Sequence, residues 1–263
     1  MTEPFQARTL KQLSCFNEDE VTAGITSRND GYSEVPYQSL NMGLHVSDDH
    51  ELVIKNRKAL AVELDIPLEQ WVMGEQVHGV NIHLVSKDDL GKGVFNPEDA
   101  LKGIDGLLTN EKNILLTAFY ADCVPLLFFE PESKWAGIAH AGWKGTVHEI
   151  ARRMIERLDE QGAERSKIKM VIGPCISRTD YEVDDYVVNH IDDKFKDKVT
   201  ERTEKNKFKL DLKELNKLIA VDAGMLEENI QVSGYCTYND SELFFSHRRD
   251  SGRTGRMLAY IGR

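Results

Sequence analysis

Apolar residues along this chain gather in short blocks, and the spacing inside each block predicts its element. Ile114-Leu115-Leu116-Thr117-Ala118-Phe119-Tyr120 reads as a buried strand. Val124 to Phe129 makes a second and Trp135 to His140 a third. Val147, Ile150, Ala151, Met154, Ile155 and Leu158 then recur at helical spacing until Gly162. Thr146 and Glu149 fit a capping box at the start of that helix. Upstream, residues 20–46 read as short strands around a turn at Asn29-Asp30-Gly31, residues 50–64 as a helix and residues 71–85 as a strand pair. Downstream, Lys169 to Gly173 predicts a strand, and 181–195 and 211–223 predict helices. Ile230 to Tyr238, Leu243 to Ser246 and Met257 to Ile261 predict the last strands. Several strands adjoin without a crossover helix, which favours an α+β fold with a mixed sheet over a doubly wound parallel one.

Composition narrows this picture. No linker or repeat divides the 263 residues, so one domain over 1–263 is expected. No apolar run approaches the ~20 residues needed to span a bilayer. Met1-Thr2-Glu3-Pro4-Phe5-Gln6 has neither the basic start nor the apolar block of a signal peptide. A cytoplasmic protein with no membrane partner is the expectation. The four cysteines, Cys15, Cys123, Cys175 and Cys236, are too dispersed for a disulfide framework. The formal net charge of −11 argues against nucleic acid as a partner. No GxxxxGK[ST] or GxGxxG motif supports ATP or dinucleotide binding. The oligomeric state stays open.

Three segments carry the chemistry: Glu75-Gln76-Val77-His78-Gly79, Ala121-Asp122-Cys123-Val124-Pro125 and Ala139-His140-Ala141-Gly142-Trp143-Lys144-Gly145. Each holds one borderline or soft ligand, His78, Cys123 or His140, separated by 45 and 17 positions. Catalytic zinc takes three protein ligands and keeps a fourth position open, and widely spaced ligands are unlike a zinc finger. Small residues follow His140, and a charged Asp122 interrupts an apolar strand pair, a local violation of the kind that marks functional sites. His83 stands an odd separation from His78 and should face away. His50 and His148 read as surface residues and His190 as structural, whereas His45 and His247 could line a pocket. Arg28 and Arg248 are the candidate anion contacts, and Lys144 lies just before a helix N-terminus.

These segments also carry a resemblance. With Ile25-Thr26-Ser27-Arg28, Ser39-Leu40-Asn41-Met42-Gly43-Leu44-His45, Asp105-Gly106-Leu107-Leu108-Thr109, Ile172-Gly173-Pro174-Cys175, Cys236-Thr237-Tyr238, Phe244-Phe245-Ser246-His247-Arg248-Arg249-Asp250 and Thr254-Gly255-Arg256-Met257, the chain resembles the laccase-domain (polyphenol-oxidase-like) family. Its bacterial and animal members are regarded as zinc-dependent purine nucleoside phosphorylases. The resemblance implies a single-domain sandwich of mixed sheets with flanking helices, and Zn2+ at His78, Cys123 and His140. It implies purine nucleoside and phosphate as substrates, inosine, adenosine and methylthioadenosine among them, and adenosine deamination as a further activity. Arg28, Asn41, His45, Gln76, Lys144 and Arg248 are then the expected substrate and phosphate contacts. Cys123, Asp122, His140 and Glu75 are the expected catalytic groups, with either Glu75 or Asp122 as general acid/base.

Rival readings use the same residues. A metal-free hydrolase would take Cys123 as nucleophile, His140 as base and Asp122 or Asp105 as the orienting group, leaving His78 unexplained. A non-enzymatic metal-binding module is a third possibility. A multicopper oxidase is disfavoured, since the chain has 8 histidines and none in a His-x-His pair. Cu2+ displacing zinc at the same three ligands would account for phenol oxidation.

Overall fold

The computed structural model describes residues 2–16 and 21–263. Glu20, where the first predicted strand segment begins, lies outside the described residues. The strands are β1 (Gln6–Ala7), β2 (Gln12–Ser14), β3 (Thr22–Thr26), β4 (Trp71–Met73), β5 (Ile82–Leu84), β6 (Gly106–Thr109), β7 (Leu115–Tyr120) and β8 (Val124–Glu130). They continue with β9 (Trp135–Ala141), β10 (Lys169–Ile172), β11 (Glu182–Asp184), β12 (Thr200–Glu204), β13 (Lys207–Leu210), β14 (Ile230–Val232) and β15 (Met257–Gly262). The helices are α1 (His50–Leu64), α2 (Trp143–Val147), α3 (Ile150–Glu160), α4 (Asp185–Val188), α5 (Asp193–Val199) and α6 (Leu212–Asp222).

Two six-stranded sheets form, in the orders β1-β2-β3-β15-β7-β4 and β14-β10-β8-β9-β6-β5, with a small sheet β11-β13-β12 beside them. Both large sheets are mixed: β4–β7, β5–β6 and β10–β14 pair in parallel and their other neighbours antiparallel. Their alternating side chains build three apolar layers. Leu116 and Ala118 of β7 meet Leu127 and Phe129 of β8 between the sheets. Leu126 and Phe128 of β8 point the other way, against Met154 and Leu158 of α3 and Ile219 of α6. Leu115 of β7 and Leu258 of β15 pack outward on Leu60 of α1. The result is a helix–sheet–sheet–helix sandwich, the expected mixed-sheet α+β fold. Strands covered on both faces explain why β7, β8 and β9 read as nearly unbroken apolar runs.

Several local expectations fail for identifiable reasons. The helix expected from Thr146 is two helices, because Glu149 takes a left-handed conformation (φ 59°) and α3 starts afresh at Ile150. Thr146 is no cap: it is buried, and its hydroxyl accepts from Asn216 Nδ2 at 3.0 Å. The helix expected over 181–195 becomes β11, α4 and α5, since Asp184 and Asp192 each cap a new helix start. Leu243 to Ser246 form no strand, because the N–H groups of Leu243 and Phe244 both turn back to the Asp240 carbonyl. The strand predicted from Ile230 stops at Val232. No helix among the described residues is long and apolar enough to cross a membrane.

One polar pair fixes the loop that carries His45. Asn56 and Arg57 of α1 are both fully buried. Asn56 accepts from Tyr32 N–H at 2.8 Å and donates to the Asn41 carbonyl at 2.8 Å and Ser33 Oγ at 2.9 Å. Among the described residues Arg57 has only carbonyl partners, those of Met42, Gly93 and Val94, and its guanidinium lies 5.1 Å from the Phe119 ring centre. Burial depresses its pKa to about 9. Replacing Asn56 by Ala leaves a buried N–H and carbonyl without partners, so unfolding stability should fall by about 1–3 kcal/mol. Urea denaturation followed by circular dichroism checks this, and an unchanged midpoint would show that the loop does not depend on Asn56.

Candidate metal centre

The site lies where the chain crosses from one sheet to the other. β7 belongs to the first sheet and β8 to the second, and only Ala121, Asp122 and Cys123 connect them. Asp122 accordingly adopts φ 87°, a strained value for a non-glycine residue. Its carboxylate stabilises the turn: Oδ1 accepts from Thr237 Oγ1 at 2.7 Å and Oδ2 from Arg248 N–H at 2.6 Å. Cys123 is thereby presented beside His140, which lies next to the last residue of β9 and is 4 % exposed. His78 lies not on a strand but in a loop, with Gln76 and His78 both at positive φ.

Asp105 ties these pieces together. Its carboxylate accepts the consecutive N–H groups of Val77 (3.1 Å), His78 (3.0 Å) and Gly79 (2.8 Å). It also pairs with His140 Nδ1 at 2.9 Å, and its own carbonyl accepts His140 N–H at 2.8 Å. Nδ1 is thus the donor to the carboxylate, and Nε2 is left to act as a ligand. Burial raises the Asp105 pKa, but the His140 hydrogen bond and the loop amides outweigh it and keep the carboxyl ionised. Sequence reasoning named Asp105 only as an alternative orienting group in the hydrolase reading. Its signal is a charged residue heading a fully buried strand.

The ligand atoms of His78, Cys123 and His140 lie within 4.8 Å of one another. Cys123 Sγ is 4.0 Å from His78 Nε2. Burial opposes ionisation of Cys123, but the His140 charge and hydrogen bonds from both histidines lower its pKa. Burial likewise opposes a charge on His140, which Cys123 and Asp105 reverse, raising it. A side chain at Gly142 would put its Cβ 2.9 Å from His78 Cδ2 and 3.1 Å from Cys123 Sγ, so only glycine leaves the ligands their space. Two imidazoles, a thiolate and a carboxylate behind one imidazole suit a zinc-like cation. The triad runs from buried His140 to exposed His78, so one side faces a cavity of about 730 Å3.

The other expected residues divide. Glu75, Gln76, His45, Asp122, Lys144 and Arg248 line that cavity. Gln76 clamps the Phe119 backbone, donating to its carbonyl at 2.9 Å and accepting its N–H at 2.8 Å. Burial, with the charges of Arg256 and Arg57, lowers the His45 pKa to about 4. Arg28 is not among the lining residues: it donates to the Gln38 and Ser241 carbonyls and covers the Phe245 ring. Asn41 is not either, being buried with Oδ1 accepting from the Gly43 and Arg256 N–H groups. His83 pairs with Asp89 at 3.0 Å, away from the triad as expected. The cavity walls Phe119, Trp143, Tyr181 and Arg256 were not singled out from sequence.

The multi-copper polyphenol oxidoreductase laccase family model matches residues 22–263. The chain belongs to this family. Among its relatives, the purine nucleoside phosphorylase YlmD of Bacillus subtilis is 46% identical over 249 residues, covering 94% of this chain and 90% of that protein. The structure of the Bacillus licheniformis hypothetical protein YfiH superposes with a TM-score of 0.97 at 42% identity, over 98% of each chain. That of YlmD from Geobacillus stearothermophilus gives 0.95 at 42% identity, over 100% of this chain and 99% of that one. The expected family and fold are therefore both borne out.

If Asp105 orients the metal-facing imidazole, Asp105→Asn should lower zinc affinity about 10- to 100-fold while the far-ultraviolet spectrum is retained. Competition with a chromophoric chelator measures it. Native affinity in this variant would mean that the carboxylate serves the loop alone.

Proposed function

We propose that this protein is a zinc-dependent purine nucleoside phosphorylase. The observation that carries this reading is the His78–Cys123–His140 triad opening onto a cavity with both aromatic and cationic walls. Relatives named purine nucleoside phosphorylase, matching over nearly the full chain, support it. Inosine and adenosine are the proposed substrates, with methylthioadenosine, and adenosine deamination is a proposed secondary activity.

Zinc bound at the triad would supply Lewis-acid polarisation of a substrate atom. The chain's own groups do the rest. Trp143, Tyr181 and Phe119 offer apolar faces to a purine and exclude water. Lys144 and Arg248 give the cavity of an acidic protein a local positive field that draws in phosphate. A phosphate oxygen then bonds to the sugar's C1′ as the C1′–N9 bond breaks. The bonding pair leaves with the purine, which is protonated, and ribose 1-phosphate is released with the free base. Glu75 is the better placed carboxylate for proton transfer. Asp122 commits both oxygens to Thr237 and Arg248, whereas Glu75 has one oxygen on Gly103 N–H and the other 3.7 Å from Lys102.

A metal-free cysteine hydrolase is less favoured. In it the Gly142 notch, which makes room for His78 as well as Cys123, has no purpose. Copper at the same triad would account for any phenol oxidation, as softer ligand preference allows.

Purified protein loaded with zinc and free of copper should split inosine only when phosphate is added, and should lack oxidase activity. Cys123→Ala should lose both stoichiometric zinc and this cleavage but remain folded, because the site sits on a sandwich with its own core. Full zinc retention by that variant would return Cys123 to the hydrolase reading.

A further inference from the structure

Arg256 stands out among the charged groups of the metal cavity. It lines the cavity with the triad and, like Lys144 and Arg248, has no carboxylate partner among the described residues, but those two are exposed whereas Arg256 is half-buried. Nη1 is anchored on the Thr254 carbonyl at 2.8 Å and the Gly255 carbonyl at 3.0 Å. The Nε and Nη2 edge has no protein acceptor among the described residues. Burial lowers its pKa, although the charges of Cys123 and Asp122 act in the opposite sense. A guanidinium kept in a partly buried place without a counter-ion is costly unless an anion completes it.

The surrounding structure holds that guanidinium in place. The Arg256 N–H donates to Asn41 Oδ1 at 2.9 Å, and the Arg256 carbonyl accepts from Met42 N–H at 3.0 Å. Asn41 is itself fixed by Asp48, at 2.8 Å from its Nδ2. A Cβ at Gly43 would lie 2.9 Å from Arg256 Cγ and 3.0 Å from His45 Cε1, so this glycine allows both side chains into the same notch. The loop segment that holds Asn41 and Gly43 thus serves Arg256 rather than touching substrate itself.

We propose that Arg256 is the phosphate-anchoring residue of the cavity, its Nε–Nη2 edge taking two oxygens of the tetrahedral anion while His45 approaches a third. This rests on the phosphorylase reading and sharpens it by naming the anion subsite. A guanidinium edge matches two phosphate oxygens in a way that an ammonium cannot. A neutral His45 at physiological pH can donate one N–H to the anion without adding charge. Arg28 has its donors on main-chain carbonyls away from the cavity, and the exposed Arg248 donates from Nη1 to the Glu182 carbonyl and lies over the Tyr181 ring.

The test uses the zinc-loaded protein and inorganic phosphate. Arg256→Gln should raise the phosphate KM about ten- to a hundredfold and leave the inosine KM within about threefold. Arg256→Lys should fall between the two, since it keeps the charge and loses the fork. Calorimetric titration with phosphate alone should show the same order of binding. If Arg256→Gln does not fold, Arg256→Lys alone decides, by a clear rise or none in phosphate KM. A folded variant with native phosphate KM and native phosphate binding overturns the proposal. A wild-type protein that binds phosphate but does not cleave inosine overturns the phosphorylase reading instead. Loss of phosphate binding in Arg256→Gln would then still uphold the anion site.

Discussion

The Asp105 carboxylate accepts three successive loop amides and the Nδ1 proton of His140, and the site depends on that one cluster of charge-assisted hydrogen bonds. Two residues of the triad that are 62 positions apart in sequence, His78 and His140, are set by the same carboxylate, whose Oδ1 accepts from both the His78 N–H and His140 Nδ1. The loop gains a fixed curvature without regular secondary structure, because consecutive N–H groups converging on an anion form a nest. The imidazole gains a defined tautomer. Buried ionic groups are costly when unpaired, so Asp105 at 3 % exposure is affordable only because every one of these donors meets it.

The rest of the fold places partners around that anchor. The abrupt passage from β7 to β8 puts Cys123 next to His140, and strain at Asp122 is offset by a hydroxyl and a backbone amide. The small residue after β9, Gly142, leaves room for His78 and Cys123 beside His140. On the far wall, α1 supports the His45 loop with Asn56 and presses the Arg57 guanidinium against the back of Phe119. Sheets supply rigidity and the strand-borne His140, and loops supply His78 and Cys123, an arrangement that suits a reactive site more than a folding staple.

The sequence made some of this legible. The doubly covered strands show as continuous apolar runs, and α1, α6 and β15 emerge at nearly their observed bounds. Cys123 and His140 sit beside broken local rules, at Asp122 and at Ala141-Gly142, whereas His78 shows only as a ligand type in its segment and through the resemblance. Other parts carry no such signal. β12 is largely exposed and charged, so its pairing with β13 leaves no alternation to read. Helix breaks at Glu149 and at Asp192 depend on single backbone conformations and caps. Arg28 and Asn41 are polar residues in distinctive segments, and nothing in their spacing tells a residue that touches substrate from one that braces its neighbours. Arg256 shows the reverse: its isolation from carboxylates exists only in three dimensions.

The central claim is that one cysteine and two histidines hold a single metal ion with a position left open for chemistry. X-ray absorption at the zinc edge of the purified protein tests it most directly. The account predicts one sulfur at about 2.3 Å, two imidazole nitrogens at about 2.0–2.1 Å and one further light atom. A first shell without sulfur, or with two or more, would contradict it.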